Sequence, residues 1–389
     1  MSQLLESRWS ETKEALLEGL QGNKRSVMAT TLENTRKYLA ESATAGATSA
    51  GNVATLNRVI LPVIRRVMPT VIANELVGVQ PMTGPVGQIH TLRVRYSDTF
   101  SGSTGGSTTP GEEALSPFKI AEGYSGATTG KPAATSALEG VAGNRLSIQI
   151  LKQTVEAKTR KLSARWTFEA AQDAQAQQGI DIEAEIMAAL AQEITAEIDQ
   201  EVLRSLASLS STVLTYDQAA VSGTATFVGD EHAALAVQIN RASNLIAQRT
   251  RRGAGNWAVV SPTTLTLLQS ATTSAFARTT EGTFEAPTNT KFVGTLNSAM
   301  KVYVNTYAEN DNVLIGYKGG SESDAAAFYC PYIPLMSSGV VLDPATFEPV
   351  VSFMTRYGYV ELTNTASSLG NAADYLATVA VTSANLRFA

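Results

Sequence analysis

Hydrophobic positions along this 389-residue chain change their period several times, and the changes mark out its elements. Near the N-terminus Leu4, Leu5, Leu16, Leu17 and Leu20 stand among alternating charges, which predicts a helix with a modest apolar face. Gly22 and Asn23 end it, and a second short helical piece reaches Leu39. Residues 42–51 are Ala, Ser, Thr and Gly only, too little apolar surface to order a segment, so they read as a linker. From Leu56 to Leu76 an apolar-rich stretch is interrupted by Pro62 and Pro69, which predicts two short helices.

At residues 78–96 the pattern turns over. A run of Gly78, Pro81, Gly84, Pro85 and Gly87 forces a change of direction and feeds an alternating segment, Ile89, Leu92, Val94 and Tyr96. Residues 97–143 are dominated by Gly, Ser, Thr and Ala, long for a loop inside a packed domain. Residues 145–166, with Leu146, Ile148, Ile150, Val155, Leu162 and Trp166, make the return strand. Strands 88–96 and 145–155 thus bracket an arm that leaves the body. An isolated hairpin is marginal in water, which predicts that the arm lies on another subunit.

A helix over 166–178 is broken by Gly179, and Asp181 is a sensible N-cap for a second helix running to Leu206. Its apolar residues Ile182, Ile186, Leu190, Ile194, Ile198, Val202 and Leu206 fall four apart. Each such step overshoots a turn by about 40°, so the line winds and should meet different neighbours along its length. Beyond it the pattern is mixed: a helix over 231–250, a strand at 257–260, a short helix from Pro262 to Ser270, a loop over 271–291, then strands at 301–304, 313–317, 326–332 and 350–359. No internal repeat is present.

Composition narrows what such a chain does. Charged residues are 17 % of the total, low against about 25 % in ordinary soluble domains, so much of the surface is suited to being covered. The formal net charge of −5 argues against a basic nucleic-acid binder. Cys330 is the only cysteine, so no intrachain disulfide forms and a reducing compartment is expected. The first twenty residues lack the basic-then-apolar order of a signal peptide, and no run of about 18 apolar residues offers a membrane span.

Candidates for chemistry are few. His90 and His232 lie in separate segments with no Cys or His at ligand spacing; His90 reads as a surface or interface imidazole. Cys330, beside Pro331 in an apolar strand, reads as a small core residue. Gly123-Tyr124-Ser125-Gly126 approaches a nucleophile elbow, but no strand leads into it and Ala127 follows. Residues 249–256 carry Arg249, Arg251, Arg252, Gly253 and Gly255, yet they follow a helix and precede a strand, the reverse of a phosphate loop. No catalysis, cofactor or metal is expected.

Charge is segregated instead. Arg145, Lys152, Lys158, Arg160, Lys161 and Arg165 face only Glu156 within 145–166. Residues 169–201 carry Glu169, Asp173, Asp181, Glu183, Glu185, Glu193, Glu197, Asp199 and Glu201 with no Lys or Arg. The blocks can pair within one chain or fix the register between copies. The expectation adopted is the second: the six cations at the base of the arm contact Glu183, Glu185, Glu193 and Glu197 on a neighbouring copy.

Five stretches carry a family resemblance, in order. They are Gly78-Val79-Gln80-Pro81-Met82 with Gly87-Gln88 and Leu92-Arg93; residues 152–162, Lys-Gln-Thr-Val-Glu-Ala-Lys-Thr-Arg-Lys-Leu; Ala170-Ala171-Gln172-Asp173 with Gly179-Ile180-Asp181; Arg252-Gly253-Ala254-Gly255-Asn256; and a last one from Tyr307 through Gly316-Tyr317-Lys318-Gly319 and Tyr329-Cys330-Pro331-Tyr332 to Phe353-Met354-Thr355-Arg356-Tyr357-Gly358. Together they resemble the major capsid proteins of T-even (T4-like) tailed bacteriophages over most of residues 56–360.

The resemblance implies an α+β HK97-like capsid fold: a leader over 1–41, an N-terminal arm over 42–77, an extended loop over 78–165, a peripheral domain with a spine helix over 166–225, an axial domain over 226–345, and a C-terminal return over 346–389. It implies a shell subunit of hexameric capsomers in an icosahedral virion head that encloses DNA without reading its sequence. Implied partners are further copies of the chain and scaffold, portal, vertex and prohead protease proteins. A pentameric vertex paralogue and an encapsulin-like nanocompartment shell are the alternatives. Family precursors are trimmed after Leu-X-Glu or Ile-X-Glu. Leu39-Ala40-Glu41 fits, with Ser42 as the new N-terminus. The extra domain that larger members insert near the extended loop has no counterpart in the short, polar residues 97–143.

Overall fold

A computed structural model of the chain describes residues 9, 13, 14, 16, 17, 20, 22–44, 72–102, 106–114, 121–127, 129–178, 181–210, 212–221, 228–250, 252–271, 276–278, 290–297, 299–346, 348–363 and 371–382. Helix α1 (Gly22–Thr44) is 23 residues long and continues past Leu39, so the backbone of the Leu39-Ala40-Glu41-Ser42 site is helical. The linker expected from Ser42 therefore begins inside a helix; alanines favour it, and single Ser or Thr residues oppose it by only a few tenths of a kcal/mol. Residues 45–51 of that linker, and the two helices expected between 56 and 71, lie outside the described residues. A single turn, α2 (Ala73–Leu76), leads into strand β1 (Gly78–Val79).

Strands β2 (Val86–Tyr96), β3 (Glu113–Ala114) and β4 (Leu146–Glu156) form a three-stranded sheet in the order β3-β2-β4. Pairing of β2 with β4 is antiparallel from Val86↔Glu156 to Tyr96↔Leu146. Eleven residues at the antiparallel rise make an arm roughly 37 Å long. The single return strand expected over 145–166 divides at Ala157, whose N–H donates to the Pro85 carbonyl at 2.9 Å. Because β2 starts at Val86, nothing in the arm remains to pair with residues beyond 157. They form β5 (Lys158–Arg165) and join another sheet.

Helix α3 (Phe168–Gln178) precedes the spine helix α4 (Ile182–Leu209), 28 residues and roughly 42 Å long. Asp181 caps it, its carboxylate accepting the Glu183 N–H at 3.1 Å. The chain then gives β6 (Thr212–Tyr216), α5 (Val228–Thr250), β7 (Trp257–Val260), α6 (Pro262–Ser270), β8 (Phe276–Arg278), β9 (Thr290–Leu296), β10 (Met300–Asn305) and β11 (Val313–Gly316). It ends with β12 (Ala327–Ser337), β13 (Val341–Leu342), β14 (Pro349–Glu361) and β15 (Leu376–Val381).

Seven strands run in the order β6-β15-β11-β7-β10-β9-β8, and five join as β1-β12-β14-β13 with β5 also on β14. These sheets cut across the segments drawn from sequence. Strands β6 and β15 belong with the seven-stranded sheet, whereas β5 and β12 belong with the five-stranded one. Two cores result. One face of α5, with Leu235, Ile239 and Ile246, covers Val302, Ile315 and Val379 of the larger sheet. The other core holds the spine helix, the smaller sheet and α1. Along the spine Leu190, Ile194, Ile198, Val202 and Leu206 are buried, with Ala191, Thr195, Asp199 and Leu203 beside them. The line winds as its four-residue step requires, and the helix meets β5, β14 and β15 in turn.

Candidate assembly interface

Among the described residues the arm holds the longest exposed stretch. From Thr129 to Ile150 every residue except Ala133 is exposed. Alternation on β4 sends Leu146, Ile148 and Ile150 to one face, and Ile148 and Ile150 are 71 % and 66 % exposed. On an ordinary half-buried strand those positions would be the core side. Burying one such side chain contributes about 2 kcal/mol, so the stripe is apolar surface awaiting a cover.

Two small clusters fix the arm at its ends. At the far end Tyr96, Phe100, Ala114, Ala121 and Tyr124 pack together, with the Tyr96 and Tyr124 rings 4.6 Å apart in an edge-on arrangement. The Tyr124 hydroxyl donates to the Arg145 carbonyl at 2.7 Å, so Gly123-Tyr124-Ser125-Gly126 is a structural turn. At the root Met82 and Val155 pack on Phe328 and Cys330. A Cβ on Gly358 would lie 2.4 Å from the Val155 side chain, so glycine lets the arm seat this closely.

Of the charged residues singled out from sequence, Arg160 has its partners within its own chain. It donates to Glu197 at 2.8 Å, to Glu201 at 2.6 Å and to the Tyr357 hydroxyl at 2.6 Å. The expectation set Arg160 against a neighbouring copy; in this structure β5 lies against the spine helix of its own chain, and the pair closes locally. Burial works against the guanidinium charge, but Glu201 and Tyr357 outweigh it and hold that charge more firmly than usual. Burial likewise pushes Glu201 up, and the Tyr357 and Arg160 hydrogen bonds bring it below the usual carboxylate range. Glu201 sits one turn beyond Glu197, and the spacing 193, 197, 201 on one helical face was the signal for it.

The remaining members separate. Arg145 pairs with Asp98 at 3.3 Å near the end of the arm, and Arg165 with Glu348 at 3.8 Å. Lys152, Lys158, Lys161, Glu183, Glu185 and Glu193 have no ion-pair partner among the described residues, and all six are exposed. Glu193 and Glu197 line an open groove of about 550 Å³ beside Tyr307, which is itself exposed.

Asp199 counts in the sequence only as one more charge of the acidic block 169–201. It is 1 % exposed, and its Oδ1 accepts the Ile72 N–H at 2.8 Å, capping the turn that leads into β1. Burial, opposed only by that N–H, pushes its carboxyl up to about 7. A lone carboxylate on an acidic helix looks solvated in sequence, and only packing shows otherwise.

His90 is exposed on β2; His232 is buried, with Nδ1 2.6 Å from the Ser270 hydroxyl. Cys330 is buried, which pushes its thiol up to about 11. The turn after α5 carries Asn256, whose side chain holds Lys318 through its carbonyl at 2.6 Å and its N–H at 3.0 Å. Among the described residues no group of three or more His, Cys, Asp or Glu is placed to hold a metal ion, and no helix is long and apolar enough to cross a membrane.

A family profile described as "Major capsid protein Gp23" matches residues 53–381. The major capsid protein of Vibrio phage KVP40 is 30 % identical over 421 aligned residues, covering 85 % of this chain and 82 % of that protein. That of Enterobacteria phage T4 is 29 % identical over 410, covering 82 % and 78 %. The solved structure titled "Mycobacterium phage Bobi" overlays with a TM-score of 0.46 at 15 % identity, over 80 % of this chain and 90 % of that one.

Proposed function

Because the chain belongs to the Gp23 family of major capsid proteins, we propose that it closes into hexameric capsomers tiling an icosahedral phage head. As a family member it is a structural subunit of the tailed-phage head, located in the virion capsid, and not an enzyme. It self-assembles with further copies into an oligomeric shell. The observation that carries the finer reading is the arm, whose apolar stripe of Leu146, Ile148 and Ile150 has no cover among the described residues. A neighbouring copy supplies that cover, and the stripe repeats in every subunit, so contacts propagate into a closed ring.

Charge then sets register more than strength. With Arg160 satisfied internally, Lys152, Lys158 and Lys161 remain as cations offered to a neighbour, and Glu183, Glu185 and Glu193 as carboxylates offered in return. The mildly acidic chain encloses DNA without binding its sequence. The seven-stranded sheet meets its copies at the capsomer centre. Scaffold, portal, vertex and protease proteins act with the shell, and the protease cuts after Glu41 to leave Ser42 first. Electron microscopy of the purified protein tests the capsomer reading: sixfold rings or closed shells are expected, and dispersed single subunits at high concentration would refute it.

A further inference from the structure

The arm has an edge as well as a face. In the order β3-β2-β4 the outer side of β4 meets no backbone partner among the described residues. Its bonding pattern is fixed at both ends. The Ser97 N–H donates to the Arg145 carbonyl at 3.0 Å and the Ala157 N–H to the Pro85 carbonyl at 2.9 Å, so the odd positions of β4 bond to β2. The even positions, 146 to 156, therefore turn their N–H and C=O groups outward, and all six residues are exposed. Natural edges of this length are blunted by proline, bulges or rows of charge. Strand β4 has eleven residues, no proline or glycine, an unshifted register, and only Lys152 and Glu156 as charges. The residues that offer their backbone are also those that carry the apolar stripe.

We propose that this edge pairs, antiparallel, with the same edge of a second copy, about a two-fold axis through Gln149. The contact differs from the ring contact above, which covers the face of the stripe, and it rests on that reading only in taking the copies to assemble. The side chains argue for self-pairing. With Gln149 opposite its counterpart, residues 146–152 of both strands overlap. Ile148 then lies beside Ile150 of the other strand, twice over by symmetry, and the Lys152 stem lies beside Leu146. Two stripes merge into one apolar band, and no two like charges face each other. Shifting the axis to Leu151 leaves no apolar pair directly opposed on the stripe face and sets Glu156 beside Leu146. Shifting it to Ile148 leaves Lys152 outside the paired segment. With the axis at Gln149, four even residues on each strand exchange about eight hydrogen bonds. A two-fold contact uses the same patch on both subunits and closes on itself, so it joins one capsomer ring to the next.

Single cysteines test the pairing in shells assembled from the purified chain. Facing residues at such an axis are about 4.5 Å apart at Cα, within disulfide range, and the native Cys330 is buried. Under mild oxidation Gln149→Cys is expected to run as a covalent dimer in denaturing gel electrophoresis. Thr154→Cys, whose two copies lie roughly 34 Å apart in this register, is expected to run as a monomer. Monomer from Gln149→Cys shells, or equal dimer from both variants, would overturn the pairing. Residue-resolved amide exchange in the wild-type chain gives an independent reading, and decides the matter if Gln149→Cys does not assemble. The amides of Ile148 and Ile150 should exchange at least tenfold more slowly in shells than in dissociated subunits; equal rates would overturn the pairing. Sixfold rings together with either negative result refute the two-fold contact and leave the capsomer reading intact, whereas a chain that forms neither rings nor shells refutes both.

Discussion

The seven-stranded sheet and the arm are both built of β-structure, yet they solve burial in opposite ways. In the sheet, Val302, Val313, Ile315, Ala377 and Val379 are completely covered by the chain's own helices. In the arm, side chains of the same type at 146, 148 and 150 point into solvent. The sheet is finished within one chain, whereas the arm is held only by a cluster at each end. A subunit of this kind folds through its body and spends its arm on neighbours, so stability and assembly should respond to different residues.

The largest effect on the lone chain is expected in the spine. A carboxyl raised from the ordinary range to about 7 favours the protonated form in the fold. Its stabilising contribution is complete below the ordinary carboxylate range and is lost as pH rises to about 7, a change of about 4 kcal/mol. Asp199→Asn, which keeps an acceptor for Ile72, should abolish that decline in denaturant unfolding measured from pH 4 to 8. Parallel curves for variant and wild type would remove Asp199 from the account.

Next comes Gly316 in β11, where a Cβ would lie 2.1 Å from the Trp257 ring. Gly316→Ala should destabilise the lone chain by about 3 kcal/mol through overpacking, read from the same unfolding curves. The smallest effect on stability belongs to the arm. Ile148→Asp with Ile150→Asp should change unfolding by less than about 0.5 kcal/mol, since both side chains are already in water, while shells no longer form in light scattering. A destabilisation as large as that of Gly316→Ala would mean the arm packs on its own body, and the contrast between the two regions would fail.

How far the sequence disclosed this contrast depends on the period of each element. The spine was legible because Asp181 caps it and its apolar residues repeat every four positions. The arm was legible because Gly/Pro turns precede an alternating run. What stayed hidden lacks a local signature. Strand β15, Leu-Ala-Thr-Val-Ala-Val, is buried on both faces and so does not alternate. The break at Ala157 shows only as a change of phase, the covered positions passing from 151, 153 and 155 in β4 to 160, 162 and 164 in β5, and the polar residues at most of these positions hide it in the sequence. Helix α1 has only a weakly apolar face, and beside its few buried side chains it is seated by Asn34, whose acceptors Met82 and Tyr332 lie 48 and 298 residues away. The charge blocks told correctly that Arg160 needs carboxylates but not whose, because sequence carries no address for a strand that changes sheets.

The buried, unreactive Cys330 makes a direct measurement of the central claim possible, because a thiol introduced elsewhere labels alone. Ile148→Cys should react with a maleimide quickly in the dissociated subunit and at least tenfold more slowly in assembled shells. Equal labelling rates in the two states would contradict the claim that neighbouring copies complete the arm.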